Sequence, residues 1–270
     1  MNEEIFAESR VVFLDTVSAE NYVHLDRIAS IYKALKESIQ KPLKMVLLYG
    51  KPGTGKSMFL SKIHQELSQE QPVFLYKTPI LDENEFFKTL AQDMFDVKYD
   101  DTLNFTQFMK ILTSKNSPSM PIILLDEAQL YSNTLMEKIR LLSDTRKIKF
   151  VVTLHKTEEE DLIAKEHFQT RIWESIELEN ASLNDLNVYI HKKLLKANCF
   201  DSANMFDKKS VALIHKITFG NYRNTNKLLY SVFDIYVEYY KQNRSNRLST
   251  TKISTKIIEM AAIQVGLIYG

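Results

Sequence analysis

The period of hydrophobic and polar positions changes several times along the chain, and each change marks an element. Between Tyr22 and Gln40, Leu25, Ile28, Ile31, Leu35 and Ile39 recur at the spacing of one helix face. Pro42 follows, and "KMVLLYG" (44–50) is a short unbroken apolar run, which predicts a strand buried on both faces. From Lys56 onward Phe59, Leu60, Ile63 and Leu67 again share a helical face. A second strand is predicted over 72–77, followed by helices near 84–95 and 104–113 and the turn-rich "NSPSM". "PIILLDE" (121–127) is the most strand-like run; a helix near 132–143, a strand over 148–154 and the alternating "IWESIEL" (172–178) complete the series. Strands that alternate with helices in this way predict an α/β domain with a mostly parallel sheet.

After Leu178 the strand signal stops. Ser182, with Asp185 three residues on, forms a capping-box pattern. Helices are expected near 183–197, 208–218, 223–241 and 254–265. The third carries Leu228, Leu229, Val232, Phe233, Tyr236, Val237 and Tyr240 on one stripe, and the polar, basic "KQNRSNRLSTTK" (241–252) reads as a linker. A boundary near Asn180 therefore separates an α/β domain, 1–180, from an all-helical domain, 181–270.

Composition narrows the setting. Lys+Arg 35 against Asp+Glu 34 gives a formal net charge of +1, so there is no global basic field of the kind a dedicated nucleic-acid binder carries. A local basic patch, "KQNRSNR" with Lys252 and Lys256, stays open as a DNA contact. Cys199 is the only cysteine and no zinc-type spacing occurs, which favours a reducing, cytoplasmic compartment. The acidic opening "MNEEIFAESR" lacks the apolar core of a secretory signal. No apolar run approaches the roughly 20 residues of a membrane span, so direct membrane insertion is not expected.

The chemistry concentrates in two stretches. "GKPGTGKS", Gly50 to Ser57, fits the G-x-x-x-x-G-K-[ST] phosphate loop and lies between a predicted strand and helix, the context that motif requires. Glycines let backbone N–H groups approach phosphates, and the helix that follows presents its positive end. The candidate phosphate contacts are Gly50, Pro52, Gly53, Thr54, Gly55, Lys56, Ser57 and Met58, with Lys56 reaching the β- and γ-phosphates of ATP and Ser57 a ligand of Mg2+. "IILLDEAQ" (122–129) places Asp126 and Glu127 at the C-terminal edge of a buried strand, where ligands of α/β folds bind. Asp126 is the second candidate for Mg2+, and Glu127 the candidate to activate a water.

These motifs resemble the AAA+ ATPases, and more narrowly the branch with the ExeA/GspA-type secretion ATPases and the TniB-like transposition ATPases. The likeness extends over about residues 20–240, through "FQTRIWESIELENASLNDLNVYIHKKLLKA" and through "ITFGNYRNTNKLL", which is similar to the family's G-x-P-R-x-I-N-x-L motif. The resemblance implies a P-loop NTPase fold with a helical lid. It also implies an arginine finger at Arg171, reaching a neighbouring subunit's nucleotide, and a sensor arginine at Arg223. A polar sensor group is implied at the end of the fourth strand, where Thr153 and His155 both qualify. Tyr222 stands where the family usually has proline and Thr225 where it has isoleucine.

The function expected is an ATP hydrolase that couples ATP and ADP states to assembly or remodelling of a larger protein machine, as a nucleotide-dependent homo-oligomer. An accessory ATPase of a secretion, pilus or DNA-uptake system leads. An ATP-dependent DNA-binding adaptor of the transposition or initiator type is the alternative. A small-molecule kinase ranks below both, because Glu127 and Arg223 suit hydrolysis and no acceptor-site motif is present.

Overall fold

The structure, a computed structural model, describes residues 3–16, 19–42, 44–96, 103–115, 119–156, 172–242, 249 and 251–269. The predicted strands form as β1 (Met45–Gly50), β2 (Val73–Tyr76), β3 (Ile122–Leu125), β4 (Lys149–His155) and β5 (Ile172–Leu178). They make one sheet in the order β2-β3-β4-β1-β5, and every pairing is parallel. Sheets of this type need both faces covered, because crossover helices lie on each side. The alternation along the strands meets that need. Met45, Leu47, Ile123, Leu125, Phe150 and Val152 enter a core with Phe86, Phe87 and Leu90 of α4 (Glu83–Phe95), Phe108 of α5 (Phe105–Ser114) and Ile139 of α6 (Asn133–Asp144). The intervening Val46, Leu48, Ile122, Leu124 and Val151 are also buried. So are Leu35 and Ile39 of α2 (Asp26–Gln40) and Phe59, Leu60 and Ile63 of α3 (Lys56–Leu67). At the N-terminal end of the sheet the buried Lys149 donates to the carbonyls of Ile39 and Lys41, acceptors that its ammonium requires.

The chain divides into two compact units, Ser30–Leu178 and a second made of Met1–Ala29 with Glu179–Gly270. The second unit is helical: α1 (Glu3–Val12), α7 (Leu183–Lys196), α8 (Phe200–Asn204), α9 (Lys208–Thr218), α10 (Tyr222–Lys241) and α11 (Thr255–Gln264). The sequence boundary near Asn180 puts segment 1–29 with the α/β part; α1 instead packs along α10, with Phe6 4.8 Å from Tyr236 and Phe13 5.9 Å from Phe233 between ring centroids. Ser182 and Asp185 form the expected capping box at the start of α7. Thr225 is fully buried and satisfied by Thr218 Oγ1 at 3.2 Å, while Tyr222 packs its ring 4.8 Å from Tyr189. Among the described residues no helix is long and apolar enough to cross a membrane. Most of the basic stretch 241–252 lies outside them.

Candidate functional site

Parallel register brings three strand ends side by side. β4 lies between β3 and β1, with Leu125 opposite Val152 and Gly50 opposite His155. Whatever follows Leu125 and whatever follows Gly50 must therefore flank the end of β4. Those are Asp126 and Glu127 on one side and the glycine-rich loop on the other.

The loop leaves β1 under tight steric control. A Cβ on Gly50 would lie 2.2 Å from the Leu178 carbonyl oxygen, so no side chain fits there. Gly55 takes a left-handed conformation (φ 100°) as the N-cap of α3. Having no side chain, it leaves the first-turn N–H groups of Ser57 and Met58 to an anion rather than to a cap. Thr54 is buried and donates its hydroxyl to the Lys51 carbonyl at 2.9 Å, which closes the loop on itself. Pro52 is exposed and Gly53 half-buried on the same turn. Lys56 is buried, and its Nζ donates to the carbonyls of Gly50 (2.8 Å) and Lys51 (3.0 Å). A primary ammonium held over a cradle of backbone amides suits a phosphate.

Across β4, Asp126 is buried and its Oδ1 accepts from Thr153 Oγ1 at 2.5 Å and from the Glu127 N–H at 3.0 Å. The same N–H meets Thr153 Oγ1 at 2.9 Å. Glu127 sits in the left-handed region (φ 50°), uncommon for a residue with a side chain, and this turns its carboxylate out of the strand line. Its Oε1 lies 3.7 Å from His155 Nε2, while His155 Nδ1 lies 3.2 Å from Gln129 Nε2. The buried Tyr131 hydroxyl is pushed up to about 12 by burial and by the Asp126 carboxylate, so it stays neutral at physiological pH.

Ser57 and Asp126 are hard oxygen donors of the kind Mg2+ takes. Among the described residues no three His, Cys, Asp or Glu side chains converge to cage a metal.

Arg171 lies outside the described residues. Arg223 belongs to the helical unit, in the first turn of α10, with its Nε 3.3 Å from Asp15 Oδ2. Its turn is firmly built. The Asn221 side chain caps α10 by accepting from Asn224 N–H at 3.1 Å, and Gly220 (φ 72°) packs so closely on Ala181 that a Cβ would lie 2.0 Å from its carbonyl oxygen. The structure uses both candidate residues of β4, Thr153 toward Asp126 and His155 toward Glu127. Gln129 was not singled out in the sequence; only its place directly after Asp126-Glu127-Ala128 hinted at it.

Residues 39–163 match the AAA_22 family model, described as an AAA domain. No curated protein matches the chain. Among solved structures the chain is similar to the Aeropyrum pernix ORC2 protein in its ADPNP–ADP complexes, at 12% identity and a TM-score of 0.65, covering 95% of this chain and 71% of that one. It is also similar to Drosophila ORC bound to DNA, at 15% identity and a TM-score of 0.61, covering 99% and 71%. Domain III of the Thermotoga maritima replication initiation protein DnaA aligns at 17% identity and a TM-score of 0.52, covering 92% and 96%. The fold is thus that of a P-loop NTPase, an α/β parallel sheet followed by a helical region. Within that class, the likeness to an AAA domain extends over residues 39–163.

Proposed function

We propose that the protein is an ATPase that couples ATP binding and hydrolysis to assembly or remodelling of a partner complex. One observation carries the reading: the phosphate loop from Gly50 to Ser57 shares a sheet edge with Asp126, Glu127, Thr153 and His155. In this reading the amides of the loop cradle the β- and γ-phosphates, and the Lys56 ammonium exchanges its loop carbonyls for phosphate oxygens. Ser57 and Asp126 would hold Mg2+, which would supply charge neutralisation to the transferring group. Thr153 fixes the Asp126 carboxylate, and Glu127 takes the proton of the attacking water. Arg223 and Arg171 complete the set by resemblance. Arg223 would contact the same nucleotide, and Arg171 would stabilise the transition state of a neighbouring copy in a nucleotide-dependent homo-oligomer.

The protein partner proposed from the resemblance is a secretion, pilus or DNA-uptake machine. A second reading, an ATP-dependent DNA-binding adaptor, is favoured by the similarity to ORC bound to DNA and to a replication initiation protein. DNA affinity that requires ATP and falls steeply with salt would select it. The ATPase reading itself is tested by phosphate release from Mg-ATP. Glu127→Gln should bind ATP like the unsubstituted protein and hydrolyse it at least about 100-fold more slowly. Equal turnover by the two proteins would overturn the assignment.

A further inference from the structure

The helical unit holds a cleft of about 850 Å3 between the end of α1, the segment that follows it and the end of α7. That volume falls within the roughly 300–1,000 Å3 of small-molecule sites. Much of the lining is apolar: Val11 and Val12 at the end of α1, Leu14 and Val23 after it, and Ala197 at the C-cap of α7. Val11 and Leu14 remain 56% and 44% exposed there, apolar surface that a ligand could cover. Side-chain donors hold the wall in place. Lys192 Nζ donates to the His24 carbonyl at 2.8 Å, and Lys196 Nζ donates to the Glu20 carbonyl.

A buried cation also lines this cleft. Lys193 is only 9% exposed, and its Nζ donates to Asn226 Oδ1 at 3.1 Å and to the Tyr189 hydroxyl at 3.3 Å. The ammonium lies 5.3 Å from the centre of the Phe13 ring. It has three N–H donors, and among the described residues the third meets no acceptor and no carboxylate pairs with it. Asp15 acts on Lys193 through space, but its own carboxylate meets Arg223 Nε at 3.3 Å. Buried charges ordinarily have a charged partner, and here neutral groups alone touch the cation.

A monoanion with an apolar body would complete both features. Its carboxylate would take the third N–H of Lys193, and its carbon chain would cover Val11, Val12 and Leu14. A dianion suits the cleft poorly. Glu8 and Glu20 also line it, and Lys196 is engaged with backbone carbonyls, which leaves Lys193 as the cation to be matched among the described residues.

We propose that the cleft between α1 and α7 binds a small monocarboxylate with an apolar chain, its carboxylate paired with Lys193. The site lies wholly in the helical unit and does not depend on nucleotide hydrolysis.

The test is calorimetric titration of sodium octanoate into the full chain at pH 7, with methyl NMR to place the ligand. Octanoate should bind at one site with a Kd below about 1 mM, within reach of a ligand of this size. Methyl signals of Val11, Val12 and Leu14 should move, while those of Leu124 and Val151 in the sheet should not. Octan-1-ol keeps the chain without the charge and octyl phosphate adds a second charge; both should bind at least about tenfold more weakly. Lys193→Met should weaken octanoate by a similar factor, and it should stay folded because it removes a buried charge. Ala197 is exposed, so Ala197→Trp should block the cleft while leaving Lys193 in place. No saturation by about 10 mM octanoate would overturn the proposal. So would octan-1-ol or octyl phosphate binding as tightly as octanoate, shifts confined to the sheet, or unchanged affinity in either variant.

Discussion

Thr153 and His155 are two residues apart on a strand, so they project to the same face. This is why the sequence alone offered both as the polar group at the end of the fourth strand and could not choose. Register gives the two different contacts: Asp126 follows Leu125, which pairs with Val152, and this brings the Asp126 carboxylate to Thr153 while Glu127 reaches His155. The strand, glycine-rich turn and helix from Met45 to Leu67 were legible from residue spacing. The crowding of Gly50 by the Leu178 carbonyl was not, since those residues are 128 apart in sequence and meet only through β1–β5 pairing. Replacing Thr153 with valine keeps the shape and deletes the donor to a buried carboxylate. The expected cost is about 1–3 kcal/mol in urea unfolding, with Mg-dependent ATP affinity lowered several-fold. Unchanged stability and affinity would show that the 2.5 Å bond is incidental.

Element-scale legibility followed stripe width. α10 has a broad apolar stripe over 20 residues, and its helix was evident. α1 shows little beyond Phe6 and the small Ser9 buried on its face, too narrow a pattern to mark a helix. Its place comes from long-range contacts instead. Ser9 donates to Ser202 at 2.7 Å, and Arg10 pairs with Asp234 at 2.6 Å. The same helical unit holds a cost in α7. Lys193 is buried beside Tyr189 and Asn226, with its ammonium 5.3 Å from the centre of the Phe13 ring, and burial pushes its pKa down to about 8. A lysine held below its unfolded value of 10.5 costs stability while both states are charged, and the cost fades as pH rises from about 8 to that value. Lys193→Met should therefore raise stability near pH 7, by on the order of 1–3 kcal/mol, and the advantage should shrink by pH 10. Paired urea titrations at the two pH values check the sign; a substitution that destabilises equally at both would contradict it.

At the scale of the whole molecule, the succession of strands and the switch to helices were readable, because apolar runs and helical periodicity alternate cleanly up to Leu178 and not beyond. The placement of residues 1–29 with the helical unit was not, since it depends on aromatic packing between chain segments more than 200 residues apart. The site on the α/β unit can be tested directly. Lys56 is the buried cation of the loop, so the most direct measurement is equilibrium titration of ATP, with Mg2+, into the unsubstituted protein and into Lys56→Ala. The account predicts saturable binding by the first and affinity at least about 100-fold weaker in the second, with the fold retained. Equal affinity in the two proteins would contradict it.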